Sequence, residues 1–308
     1  MNETVEILLA VYNGAEYLRD QLDSILAQTD GHWHLTISDD GSEDASPEII
    51  EAYARRAPDR ISVYRSGTRF GCARDHFFHL MARCEAEYML FCDQDDVWYP
   101  DKVKKTREAL VKAASDFGPD TPIMVFSDQT PTDAALKPLA SSLMRYQGQY
   151  FESFDYRSIL MQNVVTGGAM GINRALARLG TSPEDPSPII MHDWWLAAVA
   201  ARYGRIIYID EPLGTYRQHG NNAVGAKDVG SAGYAVRSIA GLGGVRGAIL
   251  KKKRQAEAFM RAYGAMLDAE DMAFLQAFTR SRSGPGFFMK YHKLIHGSQR
   301  LAGMLFLN

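Results

Sequence analysis

At 308 residues, 46% apolar and 23% charged, the chain has the make-up of an ordinary folded protein. That excludes wholesale disorder and leaves room for one large α/β domain with appendages, or for two domains. A net charge of −3 gives no reason to expect nucleic acid as a partner.

The charge is unevenly placed. Residues 1–228 hold 22 Lys+Arg against 33 Asp+Glu, giving −11, and residues 229–308 hold 12 against 4, giving +8. A basic tail on an acidic body fits contact with an anionic membrane surface. It fits equally a solvated helical face, or packing on the body or on a second copy as a homodimer. Cys72, Cys84 and Cys92 make an odd set without metal-ligand spacing, as reduced structural thiols would. No secretory signal is visible ahead of the first strand, and no apolar run reaches membrane-spanning length. The expected location is cytoplasmic, at most peripheral at the inner face of the plasma membrane.

In chain order, Val5–Val11 is a continuous apolar strand broken by the turn residues Tyr12-Asn13-Gly14. Ala15–Ala27 places Leu18, Leu22, Ile25 and Leu26 on one helical face. Leu35–Ser38 is a second strand, ended by Asp39-Asp40-Gly41-Ser42. Ser46 as N-cap, with Pro47 and Glu48 behind it, opens a helix towards Ala57. Ile61–Tyr64 is a strand, Ala73–Cys84 a helix and Tyr88–Cys92 a strand; a helix from Pro100 through Ala113 and a strand at Ile123–Ser127 follow. Strands alternating with helices predict an α/β fold with a mainly parallel central sheet flanked by helices. Beyond about Thr130 the alternation loosens. Pro131–Tyr150 reads as a loop or lid, Ala169–Ile172 and Ile206–Ile209 as strands, and Trp194–Tyr203 as a helix. Gly220–Gly233 reads as flexible, and the tail from about Val245 as helical, with Leu294, Leu301 and Leu305 among its apolar positions.

The strand Tyr88–Cys92 empties into Asp93-Gln94-Asp95-Asp96-Val97-Trp98. Three carboxylates in four positions repel one another unless a cation or protons neutralise them. Carboxylates suit a hard divalent ion such as Mg²⁺ or Mn²⁺, which commonly bridges them to substrate phosphates. A solvated acidic turn capping the next helix is the alternative. In a parallel sheet Asn13-Gly14, Asp39-Asp40-Gly41 and Asp93–Asp96 all follow strands, so they share one sheet edge and can converge on one ligand. Each alone would pass for a tight turn. Asp193, in Met191-His192-Asp193-Trp194-Trp195, stands at a helix start beside two aromatic rings. It can serve as a base towards a hydroxyl or as a helix N-cap, and the two roles are compatible.

Val11-Tyr12-Asn13-Gly14, Asp39-Asp40-Gly41-Ser42-Glu43-Asp44 and Asp93-Gln94-Asp95-Asp96-Val97-Trp98, in that order, resemble the signature of inverting family 2 glycosyltransferases with the GT-A fold. The wording around Asp93 is similar to the rhamnosyltransferase-like branch, and the resemblance runs from Val5 to about Asn222. It implies a GT-A catalytic domain over residues 1–225, with a nucleotide-binding half to about residue 128 and an acceptor half over 129–225, and a helical extension over 226–308.

The activity implied is transfer of a sugar from a nucleotide-diphosphate donor to a saccharide or lipid-linked glycan in surface polysaccharide synthesis, with Mn²⁺ or Mg²⁺ holding the diphosphate. L-rhamnose from dTDP-rhamnose is the favoured donor; a UDP-hexose stays open. By the same resemblance Val11, Tyr12, Asn13, Asp39, Asp40 and Gly41 would hold the nucleotide, and Asp93 would face the ribose or the metal. Asp95 would ligate the metal together with His219 of Tyr216-Arg217-Gln218-His219, and Arg217 would pair with the departing diphosphate. Asp193 matches the family's base, whereas His192 stands where the family carries Glu. Asp96, Trp98, Gly167, Gly168, Trp194 and Trp195 would complete the surroundings of donor sugar and acceptor. Lys251-Lys252-Lys253-Arg254 and Leu301–Leu307 are the candidates for membrane contact. Two rivals remain at this level. One is a haloacid-dehalogenase-like phosphatase using Asp93 and Asp95; the other is a nucleotide-sugar-binding protein without catalysis.

Overall fold

The computed structural model describes residues 4–149, 154–181, 183–220 and 242–280. Strands β1 (Val5–Val11), β2 (Trp33–Asp39), β3 (Ile61–Tyr64), β4 (Tyr88–Cys92), β5 (Ile123–Thr132), β6 (Met170–Asn173) and β7 (Arg205–Arg217) form one sheet. Their order is β3-β2-β1-β4-β6-β5-β7. All neighbours are parallel except β6, which runs antiparallel to both β4 and β5.

Ten helices are described: α1 (Leu18–Leu26), α2 (Ser46–Arg56), α3 (Ala73–Arg83), α4 (Lys102–Phe117), α5 (Leu143–Tyr146), α6 (Tyr156–Met161), α7 (Arg174–Leu179), α8 (His192–Tyr203), α9 (Leu242–Tyr263) and α10 (Ala269–Arg280). The sheet separates two cores. Ile7, Leu9 and Val11 of β1 join Leu35, Leu90 and the inner faces of α1, α2 and α4. Leu8 points the other way, to Met89, Phe91, Phe126 and the helices α3, α6, α8, α9 and α10. Strands buried on both faces read as unbroken apolar runs, which is why β1 and β4 stand out in the sequence.

Several local expectations change. Ser46 is the first residue of α2 rather than its cap; its Oγ instead accepts the Gly14 N–H at 2.9 Å, tying the loop after β1 to α2. Pro131–Tyr150 is not a plain loop. β5 continues through Thr132 alongside β7 past an irregularity at Ser127–Asp128, and Asp128 Oδ1 accepts the N–H groups of Leu143 and Met144 at the start of α5. The basic stretch Lys251–Arg254 lies on α9, with Lys251 and Arg254 exposed. The other face of α9 packs on the body, where the Phe259 ring lies 5.7 Å from that of Trp195. α10 is fastened by Asp271, which binds Arg157 of α6 and Arg202 of α8. Leu294, Leu301, Leu305, Leu301–Leu307 and nearly all of Gly220–Gly233 lie outside the described residues. Among the described residues no helix is long and apolar enough to cross a membrane.

Trp195 is a core residue, not a sugar platform. It is 0% exposed and packed between Phe259 and Tyr263, because α8 is apolar around most of its circumference and is buried accordingly. Trp195→Ala is expected to destabilise the fold by about 3–5 kcal/mol, measured by urea unfolding. A loss too small to shift the unfolding midpoint would remove Trp195 from the core.

Candidate functional site

Because β1, β2 and β4 are parallel, Tyr12–Gly14, Asp39–Ser42 and Asp93–Val97 leave the sheet at one edge, where the strand order reverses between β1 and β4. The antiparallel β6 adds a fourth segment there. Gly167–Ala169 form a single 3₁₀ turn immediately before it and so arrive at the same edge.

On the β2 side, Asp39 Oδ2 accepts the N–H groups of Gly41 (3.2 Å) and Ser42 (3.0 Å), and its Oδ1 accepts the Ser42 hydroxyl. Asp39 lines a cleft of about 380 Å³ with Gly41, Pro47, Ile50, Val63 and Arg69. Tyr12 is 43% exposed, and the Arg69 guanidinium lies 5.0 Å from its ring centroid. Asn13 takes a left-handed φ of 47°, a conformation asparagine tolerates. Its Oδ1 accepts the Glu43 N–H at 2.8 Å. Gln94, which no motif reading singled out, joins this loop to the acidic one: it accepts the Tyr12 N–H at 2.8 Å and donates to the Tyr12 carbonyl at 3.0 Å. A Cβ at Gly14 would stand 2.5 Å from Gln94 Oε1, so a larger residue there would displace the Gln94 side chain from its bonds to Tyr12. Asp40 and Val11 do not face the cleft. Asp40 is buried and accepts the N–H groups of Phe70 and Gly71, so it positions the loop over Asp39; Val11 offers only backbone.

The acidic loop splits its three carboxylates. Asp95 Oδ2 meets His219 Nε2 at 2.8 Å, across the whole span from β4 to the end of β7. A carboxylate oxygen and an imidazole nitrogen side by side are suitable donors for a divalent ion such as Mn²⁺. Among the described residues no group of three or more His, Cys, Asp or Glu is placed to hold a metal. In that role Asp95 and His219 would share the ion with phosphate oxygens and water, a normal division for Mg²⁺.

Asp96 lies behind the site. Its oxygens accept the Arg217 N–H (3.0 Å) and Gln129 Nε2 (3.2 Å), an arrangement that fixes β7 against the loop. Burial, then the charges of Asp95 and Asp93, push its carboxyl well above the usual range. Arg217 is 3% exposed, and its guanidinium is held by Asp20 at 2.8 Å, by the Ala134 carbonyl at 3.2 Å and by the Tyr17 ring. It braces α1 rather than facing a diphosphate. Trp98 is likewise core, with the Lys102 ammonium 4.5 Å from its ring centroid.

Asp93 and Asp193 both lie against the glycine turn, Asp93 at Gly168 and Asp193 at Gly167. A Cβ at Gly168 would stand 2.7 Å from Asp93 Oδ2, and one at Gly167 would stand 3.9 Å from Asp193 Cβ. Burial, then the charges of Asp95 and Asp193, raise Asp93 to about 7. Burial alone raises Asp193 to about 7, against hydrogen bonds from Trp194 N–H (2.7 Å) and Asn163 Nδ2 (3.2 Å) that pull it down. Two groups expected 100 residues apart in sequence thus share one turn. Trp194 remains beside Asp193, its indole N–H bonded to the Ile159 carbonyl and the Lys252 ammonium 5.7 Å from its ring. His192 is buried between Phe77 (4.4 Å) and Phe91 (5.3 Å) with its imidazole against Gly167, where a Cβ would stand 3.2 Å from Nε2; burial lowers its imidazole to about 3, so it is neutral. The thiols of Cys84 and Cys92 are raised by burial and stay protonated.

A family model described as Glycosyl transferase family 2 matches residues 6–180. The dTDP-rhamnosyl transferase RfbG of Shigella flexneri is 30% identical over 222 residues, spanning 71% of this chain and 74% of that protein. Among solved structures, S. aureus TarS 1–349 superposes with a TM-score of 0.58 at 14% identity, over 94% of this chain and 74% of that one. The mannosyltransferase PcManGT from Pyrobaculum calidifontis, in complex with GDP-Man and Mn²⁺, gives 0.53 at 16% identity, over 98% and 83%. At those identities the two structures speak for the fold alone.

Proposed function

The chain belongs to glycosyl transferase family 2, a nucleotide-sugar-dependent transferase with the GT-A fold, and from that premise we propose an inverting, metal-dependent rhamnosyltransferase. The proposed donor is dTDP-L-rhamnose and the proposed acceptor a hydroxyl of a saccharide or lipid-linked glycan of a surface polysaccharide. The observation that carries this reading is that Asp93 and Asp193 lie against adjacent residues of the Gly167-Gly168 turn, which supports a single pocket for donor and general base. The 30% identity to a dTDP-rhamnosyl transferase supports the donor.

In this reading the base lies in the cleft against Asp39 and Tyr12. Asp193 takes the proton of the acceptor hydroxyl as its oxygen attacks the anomeric carbon. The bond from that carbon to the diphosphate breaks on the opposite face, so the configuration inverts. A divalent ion held by Asp95 and His219 would supply positive charge to the leaving diphosphate. Residues to about 128 would serve the nucleotide, 129–225 the acceptor, and 226–308 would extend the domain, in a cytoplasmic protein whose basic α9 face meets an anionic membrane.

A phosphatase reading is weakened because the acidic motif follows the fourth strand, which would leave the loops after β1 and β2 without a role. A mere binder has no use for a buried base at Asp193. A thermal-shift screen of nucleotide sugars with and without Mn²⁺ tests the proposal. The largest rise is expected for dTDP-rhamnose with Mn²⁺, about 2.7 kcal/mol of added stability at a hundred times the dissociation constant. A rise with UDP-hexoses alone would overturn the donor, and no rise with any nucleotide would overturn the function.

A further inference from the structure

Lys102 opens α4 and is 1% exposed, a rare position for an ammonium group. Its Nζ donates to the Gly168 carbonyl at 2.6 Å and rests on the Trp98 ring. After burial, the groups that act on its charge are Cys92, Asp96 and Asp93. The N–H of Gly168 is turned to Asp93 and that of Gly167 to Asp193. The two-glycine turn is therefore gripped at three points: by the donor-side acid, by the base, and by Lys102.

We infer that Lys102 is a positioning residue that locks the Gly167-Gly168 turn and so holds the base Asp193 in register with the donor loop at Asp93. This rests on the transferase reading above. The physical case is that a two-residue glycine segment has no side chains of its own to fix it. A carbonyl held by a buried cation is a strong anchor. A neutral side chain at 102 would leave the Gly168 carbonyl without that anchor. Gly168 must stay small for the same lock, since a Cβ there would also stand 3.2 Å from Asp96 Oδ2.

The test is steady-state release of nucleoside diphosphate from the donor found in the screen. Lys102→Met, which keeps the length and loses the charge, is expected to lower kcat by about 10²-fold, the usual cost of a small misplacement at the reacting centre, with the donor KM unchanged. Lys102→Arg should recover part of kcat. Gly168→Ala should reproduce the loss, and the double variant Lys102→Met with Gly168→Ala should be no slower than the poorer single one. If Lys102→Met loses its cooperative melt, Gly168→Ala decides: reduced kcat at unchanged donor KM supports the lock, and wild-type kcat overturns it. Wild-type kcat in a folded Lys102→Met, or losses in kcat and donor affinity of equal size, would also overturn it. A wild-type protein that releases no nucleoside diphosphate from any donor overturns the transferase reading and the lock together, so the two failures are distinct.

Discussion

Asp193→Asn is expected to lower glycosyl transfer by about 10²–10⁴-fold, the usual worth of a positioned base, while nucleotide-sugar binding persists. Asparagine preserves shape and keeps an oxygen to accept the Trp194 N–H, but it cannot take a proton. The carboxyl sits in the first turn of α8, where the helix dipole favours its anion, yet it is 7% exposed and burial wins, raising it to about 7. A base near 7 has a definite signature: kcat/KM should climb through neutral pH and level off above it, following ionisation of the free enzyme.

The same shift has a stability consequence of opposite sense. Between the ordinary carboxyl value of 3.8 and about 7 the folded protein keeps a proton that the unfolded chain has released. The folded state binds more protons there, so stability falls as pH rises through that window and levels off above the folded value. Asp193→Asn should abolish this contribution and hold stability higher at neutral pH, as strained catalytic groups often do. Urea midpoints across pH 4–8 and a kcat/KM profile measure both halves. Full turnover in the asparagine variant would sink the assignment.

Most of this arrangement was open to reading from sequence, and the omissions have physical causes. β1, β2 and β4 are legible because each is an apolar run closed by turn residues, and their shared direction puts Asp39 and Asp93 at one edge. The direction of β6 is not legible: Met170–Asn173 reads the same either way, and only its antiparallel course brings Gly167 and Gly168 to the acids. Pro131 suggests a loop, yet it sits in β5 opposite Tyr216, because a proline can occupy a strand next to an irregularity. Trp98, Trp195 and His192 have the chemistry of a sugar site, and only burial shows that they belong to the core. Lys102, Gln129 and Asn163 leave no local pattern, since each acts on a partner far along the chain. Residue type marks candidates; the strand directions select among them.

Asp95→Asn is expected to lower turnover by about 10²–10³-fold, on the scale of losing one preorganised stabiliser of transition-state charge. It should also raise the Mn²⁺ concentration needed for half-maximal rate. Of the three loop acids, Asp95 is the proposed ligand by the family resemblance, and its contact with His219 supports that choice. Asp96 has an oxygen on each of two buried donors, and Asp93 is held at the glycine turn. Asp95 has one oxygen towards His219 and is partly open to solvent. A simple hydrogen-bonded pair would predict something different: losing either member would lower the unfolding midpoint and leave the metal response unchanged. A shared ion predicts that His219→Ala weakens Mn²⁺ dependence as Asp95→Asn does, and that the double variant is little worse than either, because the second substitution removes a ligand of an ion already gone. Titrating Mn²⁺ into the wild type and the three variants separates the two cases, and additive losses with an unshifted Mn²⁺ midpoint would assign the pair to the fold instead of the reaction.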